Sequence, residues 1–337
     1  MSRLGILGAG SFGTALGIHF ARFAGHRVEL WARDAELAAR LAAERVNTEY
    51  LPDVELPEGL TPTADVGSLA GCDLLVVAAP SHGFRAVLRS FLAACGNGPL
   101  ALVSATKGIE TETLARMSQV ACEEGEAAGR EVRFAVFSGP TFAAEIARGM
   151  PSAAVIAAED EAFAASVREA LATPVLRLYS TADVVGVELG GASKNVIAVA
   201  AGTLSGLGLG HNTLAALITR GLHEITRLGV AYGGHQRTFA GLAGLGDLVL
   251  TCTGGLSRNR QTGIALAAGK SLAEIVGETH HVAEGIRNSL AVSRLALKCD
   301  VEMPITRQMA AVMYEGKPPK QALEELMTRE LKSENDL

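Results

Sequence analysis

The sequence lacks the features that would commit it to a metal, a nucleic acid or a membrane. Its five cysteines, Cys72, Cys95, Cys122, Cys252 and Cys299, are odd in number and form no CxxC or Cys/His metal-ligand spacing. That pattern argues against a zinc or disulfide framework and reads as reduced thiols in a cytoplasmic protein. An excess of positive charge is also missing. The 30 Lys and Arg against 36 Asp and Glu leave −6, with a pI near 5.8, so nucleic acid and anionic membranes are poor partners. Net charge does not exclude anionic small substrates, which respond to the local field. No apolar run of about 18 residues goes uninterrupted, so no membrane span is expected. The stretch 185–209 comes closest, but Glu188, Ser193, Lys194 and Asn195 punctuate it. Repeats and low-complexity segments do not occur. No leader is expected either, because an apolar run begins almost at Met1.

What is present is material for a large core. The 337 residues are 48% hydrophobic and 20% charged, a soluble globular composition, and that length favours two domains. Short apolar runs at 4–7, 28–31, 74–78, 100–104, 134–137, 153–157 and 175–179 alternate with helical stretches. This pattern predicts an α/β fold, with a Rossmann-type parallel sheet domain over residues 1–182. Beyond Ala182 the strand runs stop, and apolar residues recur at helical spacing over 183–204, 213–228, 236–243 and 283–298, separated by glycine-rich breaks. Residues 183–337 therefore read as an all-helical domain.

The most informative stretch is Gly8-Ala9-Gly10-Ser11-Phe12-Gly13, set between the first strand and the helical segment 14–23. In that setting GxGxxG signals dinucleotide binding. Gly8 permits the tight turn, Gly10 lets the backbone approach a pyrophosphate, and Gly13 allows close helix–strand packing. The phosphates would lie at the helix N-terminus. The second strand ends Trp31-Ala32-Arg33-Asp34, so the slot that usually carries an acidic residue for the ribose is not acidic. Arg33 favours NADP or dual use with NAD, while Asp34 remains able to serve the ribose. Three further turns, Pro80-Ser81-His82, Ala105-Thr106-Lys107-Gly108 and Ser138-Gly139-Pro140-Thr141, follow strand carboxyl ends, where open α/β sheets bind ligands.

In the helical part, Lys194 lies among small and apolar residues, either as a snorkelling surface lysine or as a desolvated acid–base group. Asp247 and Thr251 are four apart, so one helix face carries both. Ser257-Arg258-Asn259 reads as a loop that offers a forked cation and neutral donors, either merely solvated or suited to phosphate.

Five blocks in this order, GAGSFGTAL (8–16), ATKGIE (105–110), SGPTFAAE (138–145), LGGASKNVIA (189–198) and AGLGDLVLTCTGGLSRNR (243–260), resemble bacterial NAD(P)-dependent glycerol-3-phosphate dehydrogenases. HVAEGIRN (281–288) adds a sixth, shorter match. The resemblance implies reversible reduction of dihydroxyacetone phosphate to sn-glycerol 3-phosphate for phospholipids, without a metal and with a homodimer expected. It makes Lys194 the proton donor, with Lys107 and Asp247 as catalytic companions. Lys107, Gly139, Thr141, Lys194, Asp247, Ser257, Arg258 and Asn259 would contact substrate. Ser11, Phe12, Arg33, Lys107, Ala143, Arg258, Val282 and Glu284 would join Gly8, Gly10 and Gly13 around the cofactor. Two rivals stand beside this reading: a β-hydroxyacid or 6-phosphogluconate-type dehydrogenase, and a dinucleotide-binding redox sensor without catalysis. The serine-arginine-asparagine triplet after Asp247 separates the first, and the joint presence of Lys194, Asp247 and Arg258 the second.

Overall fold

The computed structural model of the chain describes residues 2–96, 98–278, 283–331, 333 and 334. Its backbone contacts form two compact units, Met1–Lys107 with Ala115–Val184, and Gly108–Leu114 with Val185–Leu337.

The first unit is built on β1 (Arg3–Leu7), β2 (Arg27–Trp31), β3 (Val46–Asn47), β4 (Leu51–Glu55), β5 (Leu60–Thr63), β6 (Leu74–Val77), β7 (Leu100–Ser104), β8 (Val132–Ser138), β9 (Ser152–Ala157) and β10 (Leu176–Thr181). Among the described residues, eight of these form one sheet in the order β10-β9-β8-β7-β6-β1-β2-β5, while β3 and β4 pair separately as an antiparallel hairpin. Helices α1 (Ser11–Phe23), α2 (Ala35–Glu44), α3 (Ser81–Ala94), α4 (Met117–Ala127), α5 (Ala143–Ala147) and α6 (Glu161–Leu171) cover the sheet. The two faces follow from strand alternation. Leu4, Ile6 and Val76 point into the core shared with α1 and α6, whereas Leu7, Leu75 and Val77 point into the core shared with α3 and α4.

The sheet is parallel from β5 to β8, but β9 runs antiparallel to β8, and β10 follows β9. Helix length explains the reversal. A right-handed crossover must retrace a strand as long as β8, roughly 23 Å for its seven residues. The five residues of α5 supply only about 7.5 Å. Strand β5 also lies outside the expected strands, because its Leu60-Thr61-Pro62-Thr63 lacks an apolar run. It sits at the sheet edge, where proline is tolerated.

The second unit contains α7 (Val184–Gly206), α8 (His211–Ala231), α9 (Gln236–Phe239), α10 (Asp247–Thr253), α11 (Arg258–Ala267), α12 (Leu272–Glu278), α13 (Glu284–Lys298), α14 (Pro304–Tyr314) and α15 (Pro319–Met327). Helix α7 is apolar along most of its length and long enough to cross a membrane, yet 94% of its most apolar window is buried inside the protein. It is the central helix of this unit. Its partner α11 approaches to backbone contact: a Cβ on Gly263 would lie 1.9 Å from the Val199 carbonyl oxygen. Where the periodicity predicted one helix over 236–243, α9 stops at Phe239 and a single wide turn, Leu242–Gly246, leads into α10. Buried Glu224 of α8 caps α14 by accepting the Ile305 and Thr306 N–H groups. Burial pushes its pKa up to about 7.

Candidate functional site

In the first unit the glycine loop joins β1 to α1. Gly8 takes a left-handed φ of +118°, and a Cβ on Gly13 would fall 1.9 Å from the Gly8 carbonyl oxygen, so the fold itself demands both glycines. Gly10 differs, because a Cβ there would meet no protein atom within 4 Å. Nothing inside the protein requires glycine at that place, so the loop leaves room there for a close approach from outside. Gly10 is also the N-cap of α1, without a side-chain cap and without an acidic residue in the first turn. N–H donors without a side-chain cap at a positive dipole end suit a pyrophosphate, so these residues fit a dinucleotide.

Ser11 and Phe12 open α1 and are half-buried. The Phe12 ring lies 6.1 Å from Phe137, and Lys107 Nζ stands 5.9 Å from the Phe12 centroid. The same Nζ donates to the Gly139 carbonyl oxygen at 2.9 Å, and Thr141 Oγ1 donates to it at 3.0 Å. One backbone carbonyl thereby gathers Lys107, Gly139 and Thr141 beside Phe12, with Ala143 just beyond at the start of α5. At the end of β2, the place expected for an acid holds Trp31, which is 7% exposed. Arg33 follows, exposed, while Asp34 is the α2 N-cap, accepting the Glu36 N–H at 2.9 Å. That capping bond engages Oδ1 and leaves the second carboxylate oxygen of Asp34 able to accept from a ribose hydroxyl.

In the second unit Lys194 is a buried, paired ammonium. Its Nζ donates to Asp247 Oδ1 at 2.9 Å and to Thr251 Oγ1 at 2.7 Å, with side-chain exposures of 7% for Lys194 and 2% for Asp247. The four-residue spacing does place Asp247 and Thr251 on one face of α10, although Thr251 was not among the candidate site residues. Thr251 Oγ1 also lies 2.6 Å from the Asp247 carbonyl oxygen, which fixes its rotamer. Neighbouring Cys252 has its thiol pushed up to about 12 by burial, so no thiolate competes for the ammonium.

Ser257-Arg258-Asn259 is not a loop. Ser257 is the N-cap of α11, its Oγ accepting the Arg260 N–H at 3.2 Å, and Arg258 is the first helical residue. The local reason is the cap itself, a serine placed just before a helix. Solvent reaches the Arg258 side chain, yet enough protein surrounds its head that desolvation lowers its pKa, with Glu284 partly opposing. Asn259 is buried and ties three helices together. Its Nδ2 donates to Asn195 Oδ1 at 2.9 Å, and its Oδ1 accepts the Gly285 N–H at 2.9 Å. That node joins the residue after Lys194, the residue after Arg258 and the residue after Glu284. Asn195 is a site-forming residue that sequence reasoning did not single out. Val282 lies outside the described residues.

Comparison with known proteins adds independent findings. The profile described as NAD-dependent glycerol-3-phosphate dehydrogenase N-terminus matches residues 3–164, and the corresponding C-terminus profile matches 183–324. Proteins named glycerol-3-phosphate dehydrogenase (NAD(P)+) from Geobacter sulfurreducens and Koribacter versatilis are 51% and 49% identical, each match covering 98% of this chain and 98% of the relative. A crystal structure of glycerol-3-phosphate dehydrogenase from Coxiella burnetii superposes with a TM-score of 0.92 at 39% identity, covering 97% of this chain and 99% of that one.

Proposed function

The chain belongs to the NAD-dependent glycerol-3-phosphate dehydrogenase family, and from that premise we propose that it reduces dihydroxyacetone phosphate reversibly to sn-glycerol 3-phosphate with Lys194 as the general acid. It is an oxidoreductase of the NAD(P)-dependent kind. NADH or NADPH, held at the glycine loop, would supply a hydride for C2 of the substrate.

The observation that carries the reading is the buried Lys194–Asp247–Thr251 cluster. An ammonium removed from water is costly unless it is paired, and an acidic partner at 2.9 Å keeps it protonated and aimed. Lys194 then donates its proton to the oxygen on C2 as negative charge develops there, and takes it back in the reverse direction. Asp247 and Thr251 hold the ammonium in place. Arg258 grips the phosphate through its fork, and Lys107, Gly139 and Thr141 contribute substrate contacts in the same reading. Ser257 and Asn259 act on their neighbours, as cap and as node. Around the cofactor, Ser11, Phe12, Arg33, Ala143 and Glu284 complete the set begun by the glycine loop. A cytoplasmic homodimer supplying phospholipid synthesis belongs to this proposal.

Initial rates of NADPH and NADH oxidation test it, with dihydroxyacetone phosphate set against a panel of 2-ketoacids and 6-phosphogluconate assayed in the oxidative direction. Turnover restricted to the triose phosphate supports the reading. Preferential turnover of ketoacids or 6-phosphogluconate, or cofactor binding without turnover of any substrate, overturns it.

A further inference from the structure

The glycine loop is held from behind by a residue outside it. Asn47, fully buried in β3, directs its amide into the loop. Its Nδ2 donates to the Ala9 carbonyl oxygen at 3.0 Å and to Thr14 Oγ1 at 2.8 Å, while its Oδ1 accepts the Tyr50 N–H at 3.2 Å. Thr14 Oγ1 lies 3.3 Å from the same Ala9 oxygen. Two side chains thus converge on one carbonyl inside the GxGxxG turn.

Peptide planarity makes that carbonyl decisive. The Ala9 C=O and the Gly10 N–H belong to one rigid trans unit and point in opposite directions. Pinning the oxygen into the protein turns the Gly10 N–H away from it. The N–H belongs to the one glycine of the loop at which an added Cβ would meet open space. An apolar side chain at position 47 could fill the volume but would leave the Ala9 oxygen without this donor.

We propose that Asn47 is a positioning residue for dinucleotide binding: by anchoring the Ala9 carbonyl it aims the Gly10 N–H at the pyrophosphate. The pyrophosphate is common to NADH and NADPH, so the effect falls equally on both. That signature separates it from Arg33, whose proposed contact is a group only NADPH carries.

The test combines calorimetric titration of ADP, NADH and NADPH with steady-state kinetics on the full chain. Asn47→Ala should raise the Kd of all three ligands by a similar factor of about ten or more, with KM for the cofactor rising in step. At saturating cofactor, kcat and KM for dihydroxyacetone phosphate should stay within about threefold. Asn47→Asp keeps the shape without the donors and should lose at least as much. A merely structural role would lower the melting temperature and the active fraction while leaving the Kd of the folded protein unchanged, and that result overturns the proposal. A loss confined to NADPH also overturns it. Should Asn47→Ala fail to fold, Thr14→Val removes one of the two groups on the Ala9 oxygen, and unchanged Kd values there refute the idea. The proposal rests on the dinucleotide-binding reading, which wild-type titration checks separately: a wild type that binds none of the three ligands brings down both.

Discussion

Removing Lys194 should damage the protein twice, and the two injuries can be separated. The ammonium and the Asp247 carboxylate are 7% and 2% exposed, with Nζ and Oδ1 2.9 Å apart. This pair is therefore outside the surface regime, where an ion pair contributes about 0–1 kcal/mol. Taking one partner from a buried pair strands the other and costs about 3–5 kcal/mol. Lys194→Met should lose about that much in urea denaturation, and its turnover should fall by about 10²–10⁴-fold for want of a general acid. Its cofactor affinity should hold, because the proposed role of the lysine is toward substrate. Asp247→Asn strands the ammonium and should lose comparable stability. In the double variant no buried charge is unpaired, and the new amide keeps the Thr251 hydroxyl within reach, so most of the stability should return while turnover does not. The assays are urea midpoints and NADPH oxidation at saturating dihydroxyacetone phosphate. If the double variant regains turnover together with stability, Lys194 only supports the fold. Lys194→Met turnover within tenfold of wild type refutes the catalytic role as well.

Other outcomes follow from single contacts. Arg258→Lys keeps the charge but loses the fork, so kcat/KM should fall for dihydroxyacetone phosphate and hardly change for unphosphorylated dihydroxyacetone, since the grip on phosphate also aligns C2. Equal losses for both would assign Arg258 another task. Arg33→Ala should raise KM for NADPH far more than for NADH, by a factor matching about 1.5 kcal/mol, the low end for a charged hydrogen bond because Arg33 is exposed. Similar shifts with the two cofactors would show that Arg33 does not read the extra phosphate. Gly10→Ala should leave thermal stability within about 0.5 kcal/mol, since nothing in the protein opposes the new methyl group, yet weaken NADPH binding at least tenfold. Undiminished binding in that variant would move the pyrophosphate elsewhere.

Much of this was readable from the chain because the signals were local. The central strands β1, β6 and β7 are short apolar runs buried on both faces, and the GxGxxG turn sits where a strand gives way to a helix. Asp247 and Thr251 were legible as a helical face because four residues make about one turn. Elements with mixed polarity were not legible: Leu51-Pro52-Asp53-Val54-Glu55 and Leu60-Thr61-Pro62-Thr63 pair only because neighbouring strands offer edges. Strand direction was hidden too, since alternation says which face a residue takes and not which way the strand runs. Asn47 and Asn195, and the bridging bonds of Asn259, escaped for a third reason. Their bonds reach 38, 64 and 26 residues along the chain, and no sequence window holds both ends. The triplet at 257–259 misled because glycines 254 and 255 announce a break, while a serine cap immediately restarts the helix.

The single tryptophan gives the chain an optical property of its own. Trp31 ends β2 with its indole N–H donating to the Ala64 carbonyl oxygen at 3.1 Å, shielded from water and two positions before Arg33. A shielded indole emits toward the blue, in the band where a reduced nicotinamide absorbs and an oxidised one does not. With no second indole to dilute the signal, its emission should fall by energy transfer when NADH or NADPH binds and stay bright with NAD+ or NADP+. The fluorescence of the unlabelled protein would then report the redox state of the cofactor it holds, turnover by turnover.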